Sequence, residues 1–132
     1  MVTGLRYTFI RAFFRTTMSL SIEHEKLDPD TCVVTLRGRL LLGAGCADLE
    51  GLILRLVGRG AKTLVFDLRE VTHMDSTGMG RFIEAHRLLE SIGGKMRMVA
   101  SPGPVREMFQ VTRLDTVFTF SPSVEEAARN VN

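Results

Sequence analysis

The sequence predicts an α/β domain: a mixed, mainly parallel sheet of about five strands, with an antiparallel hairpin at its N-terminal side and about four helices. Three observations lead there. Short runs of strand formers recur between segments whose apolar residues fall at three- and four-residue spacing, the pattern of strands joined by helical crossovers. The first two extended runs are separated only by a Pro/Asp turn, which makes them antiparallel neighbours. And 132 residues with 45% hydrophobic content suit one domain of the commonest size rather than two cores.

Taken in order, residues 1–17, MVTGLRYTFIRAFFRTT, are apolar and basic. Arginines break the apolar run before the length of a signal h-region and far short of the roughly 20 residues of a membrane span. This segment is expected to lie outside the domain (residues 18–132), either disordered or the result of a start placed too early. An amphipathic helix on a membrane surface is the other reading. From Leu20 to Glu25 apolar and polar residues roughly alternate, LDPDT (Leu27 to Thr31) turns the chain through a loop longer than the tightest type, and CVVTLRG follows as the second strand. Cys46, Leu49, Leu52, Ile53, Leu56 and Val57 then mark an amphipathic helix with a glycine stop at Gly58 to Gly60. TLVFDL (Thr63 to Leu68) is the next strand, and a helix begins at or just after Ser76, with Phe82, Ile83, Ala85, Leu88, Leu89 and Ile92 on its apolar face and Gly93 and Gly94 at its end. MRMVA (Met96 to Ala100) is a strand, Pro104 suits the first turn of the short helix VREMFQ, TVFTF (Thr116 to Phe120) is the last strand, and SVEE (Ser123 to Glu126) is a capping box opening a C-terminal helix.

Composition narrows the function classes. The formal charge of +2 comes from 17 basic and 15 acidic side chains, and the N-terminal segment holds Arg6, Arg11 and Arg15 and no acid, so the rest carries 14 against 15. A part so balanced has no electrostatic footprint for a phosphate backbone, and no direct nucleic-acid binding is expected. Cys32 and Cys46 are the two cysteines, with no CxxC and no His/Cys cluster at ligand spacing. Neither a disulfide framework nor a metal site is signalled; reduced thiols and a cytoplasmic protein without a cofactor are the plain reading.

The stretch VTHMDSTGMG (Val71 to Gly80) stands out. It joins a strand to a helix by a short loop, so it lies at the carboxyl end of the sheet, where ligands and switches collect in open α/β folds. Asp75 or Ser76 can cap the helix, whose first N–H groups lack partners and whose dipole is positive there. One cap needs one oxygen, whereas three are offered. Gly78 and Gly80 follow inside a helical turn, where each glycine costs about 1 kcal/mol relative to alanine, so close approach of another backbone or protein surface explains them better than helix formation. A phosphate on Ser76 fits the same physics: the helix terminus favours an anion, and about −1.5 to −2 of added charge alters any surface pressed against it. The expected partner-binding residues are Met74, Asp75, Ser76, Thr77, Gly78, Met79, Gly80, Arg81 and Glu84, the methionines as adaptable apolar contacts and the last two as rim charges.

The DSTG tetrad with GMG behind it, the preceding LVFDLREVTHM, the IGGKMRMV leading into the following strand and the segment SPGPVREMFQVTRLDTVF together resemble a STAS domain, in particular a bacterial anti-sigma factor antagonist. The similarity runs from about Met18 to Val131. It implies a non-enzymatic switch that binds an anti-sigma factor which is also a serine kinase, thereby freeing a sigma factor, and that a serine phosphatase resets. The phosphorylated residue it implies is Ser76, with Thr77 the secondary candidate. One departure accompanies the match. The family commonly has Gly-x-Leu-Asp after the second strand, where this chain reads GRLL, so Leu41 takes the place of the Asp. An apolar residue there cannot position a hydroxyl or repel a phosphate, so kinase recognition of Ser76 is expected to be weakened or lost even if the binding surface survives. A STAS subunit of a membrane transport or stressosome-like assembly, docking constitutively by the same face, is the alternative.

Other chemistry is poorly supported. Asp67 and Asp75 as paired carboxylates of a phosphoaspartyl receiver would need an acidic cluster on the first strand and a lysine after a later one, but Lys95 precedes its strand. Ser76 with His73 or His86 lacks a GxSxG elbow. Gly78-Met79-Gly80 lacks the third glycine of a dinucleotide fingerprint.

Overall fold

A computed structural model of the chain describes residues 12–16 and 20–129. Its six strands lie in one sheet in chain order: β1 (Ala12–Thr16), β2 (Leu20–Asp28), β3 (Thr31–Leu40), β4 (Thr63–Met74), β5 (Lys95–Val99) and β6 (Thr119–Ser121). β1 and β3 flank β2 antiparallel, and every later pairing is parallel. The sheet of about five strands expected from the sequence is β2–β6. β1 adds a strand along the outer edge of β2, so residues 12–16 of the expected extension pair with the domain; an unpaired edge offers N–H and C=O groups that such a strand satisfies. Residues 1–11 and 17 lie outside the described residues.

The hairpin turn is tighter than the sequence suggests. Asp28 pairs with Thr31 across Pro29 and Asp30, and the register shift between Lys26 and Asp28 makes Leu27 a bulge that absorbs the extra residue. Asp28 Oδ1 accepts the Asp30 amide at 2.8 Å, an Asx turn. The Asp30 carbonyl in turn accepts the amides of Lys62 and Thr63 at 2.8 and 2.9 Å and so seats the start of β4.

Four helices follow the strands: α1 (Ala44–Gly58), α2 (Ser76–Ser91), α3 (Pro104–Val111) and α4 (Val124–Arg129). Because β3, β4, β5 and β6 are added in one direction, right-handed crossovers put α1, α2 and α3 on the same face. There Leu36, Leu64, Phe66 and Met98 of the sheet meet Leu49, Leu52, Phe82, Leu89 and Phe109 of the helices in the main core. On the other face α4 packs Ala127 and Val124 over Val33, Val65 and Val99. β4 is buried on both faces over its first half, hence its unbroken apolar run.

Two boundaries differ from expectation. β4 continues past Leu68 to Met74 because β3 accompanies it as far as Leu40, with register shifts that give β4 the extra residues, whereas its pairing with β5 ends at Asp67↔Val99. The last strand begins at Thr119 rather than Thr116. A 3-10 turn over Leu114–Thr116 precedes it, and Phe118 drops into the core 6.0 Å from the ring of Phe109 and 5.5 Å from that of His86. Ser123 caps α4 as expected, its Oγ accepting the Glu126 amide at 3.1 Å.

Candidate functional site

The carboxyl ends of β3 and β4 bring together the loop after Leu40 and the first turn of α2. Asp75 is the N-cap of α2 and joins the two. Its Oδ1 accepts the Gly78 amide at 2.8 Å, the expected cap, and its Oδ2 accepts the Leu42 amide at 2.9 Å from the β3–α1 loop. These two backbone donors, Gly78 first and Leu42 second, hold the carboxyl below its ordinary pKa of 3.8. Gly43, at φ 139, takes a conformation open to glycine, which lets the loop reverse into α1 directly after Leu42.

With Asp75 acting as cap, Ser76 is free of that task. It is the first residue of α2, it is exposed, and its hydroxyl makes no hydrogen bond among the described residues. Thr77 beside it is half-buried. Gly78 is buried, and a Cβ there would stand 2.5 Å from the Leu40 carbonyl oxygen, so close backbone approach explains this glycine. Gly80 differs: a Cβ would meet nothing within 4 Å, and no packing inside the domain calls for glycine there.

Two further expected contact residues, besides the buried Gly78, are placed otherwise. Met79 is only 5% exposed and packs in the main core, its sulfur 3.7 Å from the Thr112 hydroxyl; it is not a surface contact. Its spacing to Phe82 and Leu89 puts it on the inner stripe of α2. Arg81 is not a free rim charge either, because its guanidinium is spent on Glu50 of α1 at 3.1 Å and Glu84 at 3.3 Å and its side chain is 18% exposed. Glu84 is exposed as expected, and Met74 is half-buried at the site's edge.

Leu41 lies where the sequence placed it, between the end of β3 and α1. Its carbonyl accepts the Cys46 thiol at 3.1 Å, and it lines a hollow of about 260 Å³ with Met74, Val105 and Met108. Leu42 was not singled out by sequence reasoning, yet it is 77% exposed beside Asp75. The signal that could have found it is the run Leu40-Leu41-Leu42 at the end of β3, three successive leucines of which the core takes only Leu40 in full.

Asp67 and Asp75 are not brought together. Asp67 points to the α4 face, where the Arg69 guanidinium grips it at 2.9 and 2.8 Å. His73 is exposed with Nδ1 2.9 Å from the Thr72 hydroxyl, and His86 tilts against Phe118, so neither joins Ser76 in a catalytic arrangement. Among the described residues no group of three or more His, Cys, Asp and Glu could hold a metal ion. No helix among them is long and apolar enough to cross a membrane.

The family model of the STAS domain matches residues 22–127. Among solved structures, an anti-sigma factor antagonist from Mycobacterium paratuberculosis is similar to this chain at 26% identity and a TM-score of 0.74, over 86% of this chain and 94% of that one. The anti-sigma factor antagonist SpoIIAA in its unphosphorylated form shares the fold at 24% identity and a TM-score of 0.74, over 83% of this chain and 95% of its own. The Bacillus cell fate determinant SpoIIAA in its phosphorylated form does so at 24% identity and a TM-score of 0.68, over 84% and 99%.

Proposed function

The chain belongs to the STAS domain family, and we propose that within it the protein acts as an anti-sigma factor antagonist switched at Ser76. It binds an anti-sigma factor that is a serine kinase, so releasing a sigma factor, and it works by binding rather than by turnover; a serine phosphatase resets it. The observation that carries this reading is the division of labour at the start of α2. Asp75 supplies the cap and Ser76, next to it, keeps an exposed hydroxyl with no structural task. A serine that the fold does not need can be modified without unfolding the domain. The likeness to a solved antagonist over nearly its whole length supports the role.

A phosphate on Ser76 would sit at the positive end of α2 and add about −1.5 to −2 charges. It would also stand beside the ionised Asp75 carboxylate, so it changes the charge of the docking face while the core below is untouched. The partner-facing residues are then Met74, Asp75, Ser76, Thr77, Gly80 and Glu84, with Gly78 buried beneath them.

The test mixes the purified protein with each candidate anti-sigma kinase of the same genome, with and without ATP. A complex should form without ATP, and ATP should place phosphate on Ser76 and weaken that complex. Ser76→Ala should shift stability by no more than about 0.5 kcal/mol, as for a surface position, and bind whether or not ATP is present. Ser76→Asp should bind more weakly. No complex with any candidate removes the proposal; a complex that leaves Ser76 unmodified removes the switch and keeps the docking.

A further inference from the structure

We propose that the surface next to Ser76 is an apolar docking site, with Leu42 as a knob on a held backbone and the hollow behind Leu41 as a hole, and that the anti-sigma factor fills this hole with an apolar side chain of its own. The inference rests on the antagonist reading and names the chemistry by which that partner is chosen.

Leu42 is exposed to 77%, a large apolar side chain in water, yet the backbone that carries it is held. Its amide is held by Asp75 Oδ2 at 2.9 Å, the preceding carbonyl accepts the Cys46 thiol at 3.1 Å, and the following Gly43 has the φ of 139 that turns the chain into α1. The backbone under this leucine is thus fastened on both sides before a partner arrives, and what remains to be ordered on binding is its side-chain rotamer.

The hole comes from the register of the sheet. Pairing of β4 with β5 ends at Asp67↔Val99, while pairing with β3 continues to Leu40↔Met74. The end of β4 therefore has no β5 partner on the side of α3, and the space left is the hollow of about 260 Å³ walled by Leu41, Met74, Pro104, Val105 and Met108, with Thr72 and His73 as its polar lining. His73 is its one titratable lining side chain. The surface is continuous with the switch, since Asp75, which holds Leu42, is the residue before Ser76. A partner reaching the Ser76 hydroxyl covers this ground too. Where the resemblance implies a carboxylate the chain has Leu41, so a charged contact is replaced by apolar burial.

The experiment measures affinity of the full-length native chain, Leu42→Ser and Leu41→Asp for the anti-sigma factor found by the mixing test, at low and high salt. Leu42→Ser should weaken the complex by about tenfold or more, as for the loss of a central apolar contact. Its unfolding midpoint should match that of the native chain, because Leu42 is exposed. Leu41→Asp should also weaken binding, and the native affinity should change little with salt. If both variants bind as tightly as the native chain, the apolar site is wrong and the antagonist reading stands. If both bind normally but Leu42→Ser abolishes a self-association of this chain, the occupant is a second copy and the inference is overturned. If no anti-sigma factor binds the native chain, the antagonist reading fails and takes this inference with it.

Discussion

Gly78 and Gly80 lie two residues apart in the first turns of α2 and answer to different constraints. A methyl at Gly78 meets the Leu40 carbonyl oxygen at 2.5 Å, a backbone atom that cannot swing aside, so Gly78→Ala should destabilise by about 1–3 kcal/mol through overpacking. A methyl at Gly80 meets nothing, so Gly80→Ala should stabilise by about 1 kcal/mol through helix propensity. Urea unfolding of the two variants checks both signs. If Gly80 lies under a partner in the complex, the same alanine should weaken that complex. Asp75 yields a second pair of outcomes. In Asp75→Asn the amide oxygen can still cap Gly78, but the NH2 faces the Leu42 amide, donor against donor. Amide exchange at Leu42 should quicken, at a cost of about 1 kcal/mol or less in stability. The pH dependence has a definite sign. The folded pKa of Asp75 lies below 3.8, so its stabilisation is present above that value and is lost as pH falls through the folded pKa, a loss the Asn variant should lack. The cap was legible in Asp-Ser-Thr because capping is local. The bond to Leu42 was not, because it spans 33 residues and only the fold closes it.

At the scale of elements, α2 shows how a motif can distract from a period. Its place inside the motif suggests Met79 as a partner contact, yet it is on the same stripe as Phe82 and Leu89, and the stripe decides its place. Arg81 was readable as an outward charge, but its partner Glu50 is on α1, and neighbouring helices are not visible in a linear pattern. The bridge between α1 and α2 is partly exposed, with side chains at 18% and 50%. A double-mutant cycle of Arg81→Ala and Glu50→Ala should therefore give a coupling of about 1 kcal/mol or less, measured by chemical denaturation. The overrun of β4 was hidden for the opposite reason. Its residues from Arg69 to His73 are mostly exposed polar side chains, and what keeps them extended is pairing with β3 on one side.

For the molecule as a whole, the order of strands and helices was legible because the two periodicities alternate cleanly and glycines mark the ends of α1 and α2. β1 was not, since AFFRT has no alternation and takes its strand form along the edge of β2. Stability of the entire domain should also carry the mark of His24, which burial first, and then the charges of Arg55 and Arg59, hold below the ordinary value of 6.5. Above that pH neither state is protonated. As pH falls through 6.5 the unfolded chain takes up a proton that the folded one resists, so unfolding free energy should decline until the folded pKa is passed. Thermal melts of His24→Gln should show a shallower decline over that range. The strand order has a consequence of another kind. Each strand lies beside the one before it in the chain, from β1 through β6. When the chain is synthesised from its amino end, every new strand finds the neighbour it needs already made, and none has to be pushed between two that are joined. The sheet can grow like a fence built from one end, with Phe109 and Phe118 arriving late to close the core over strands already standing.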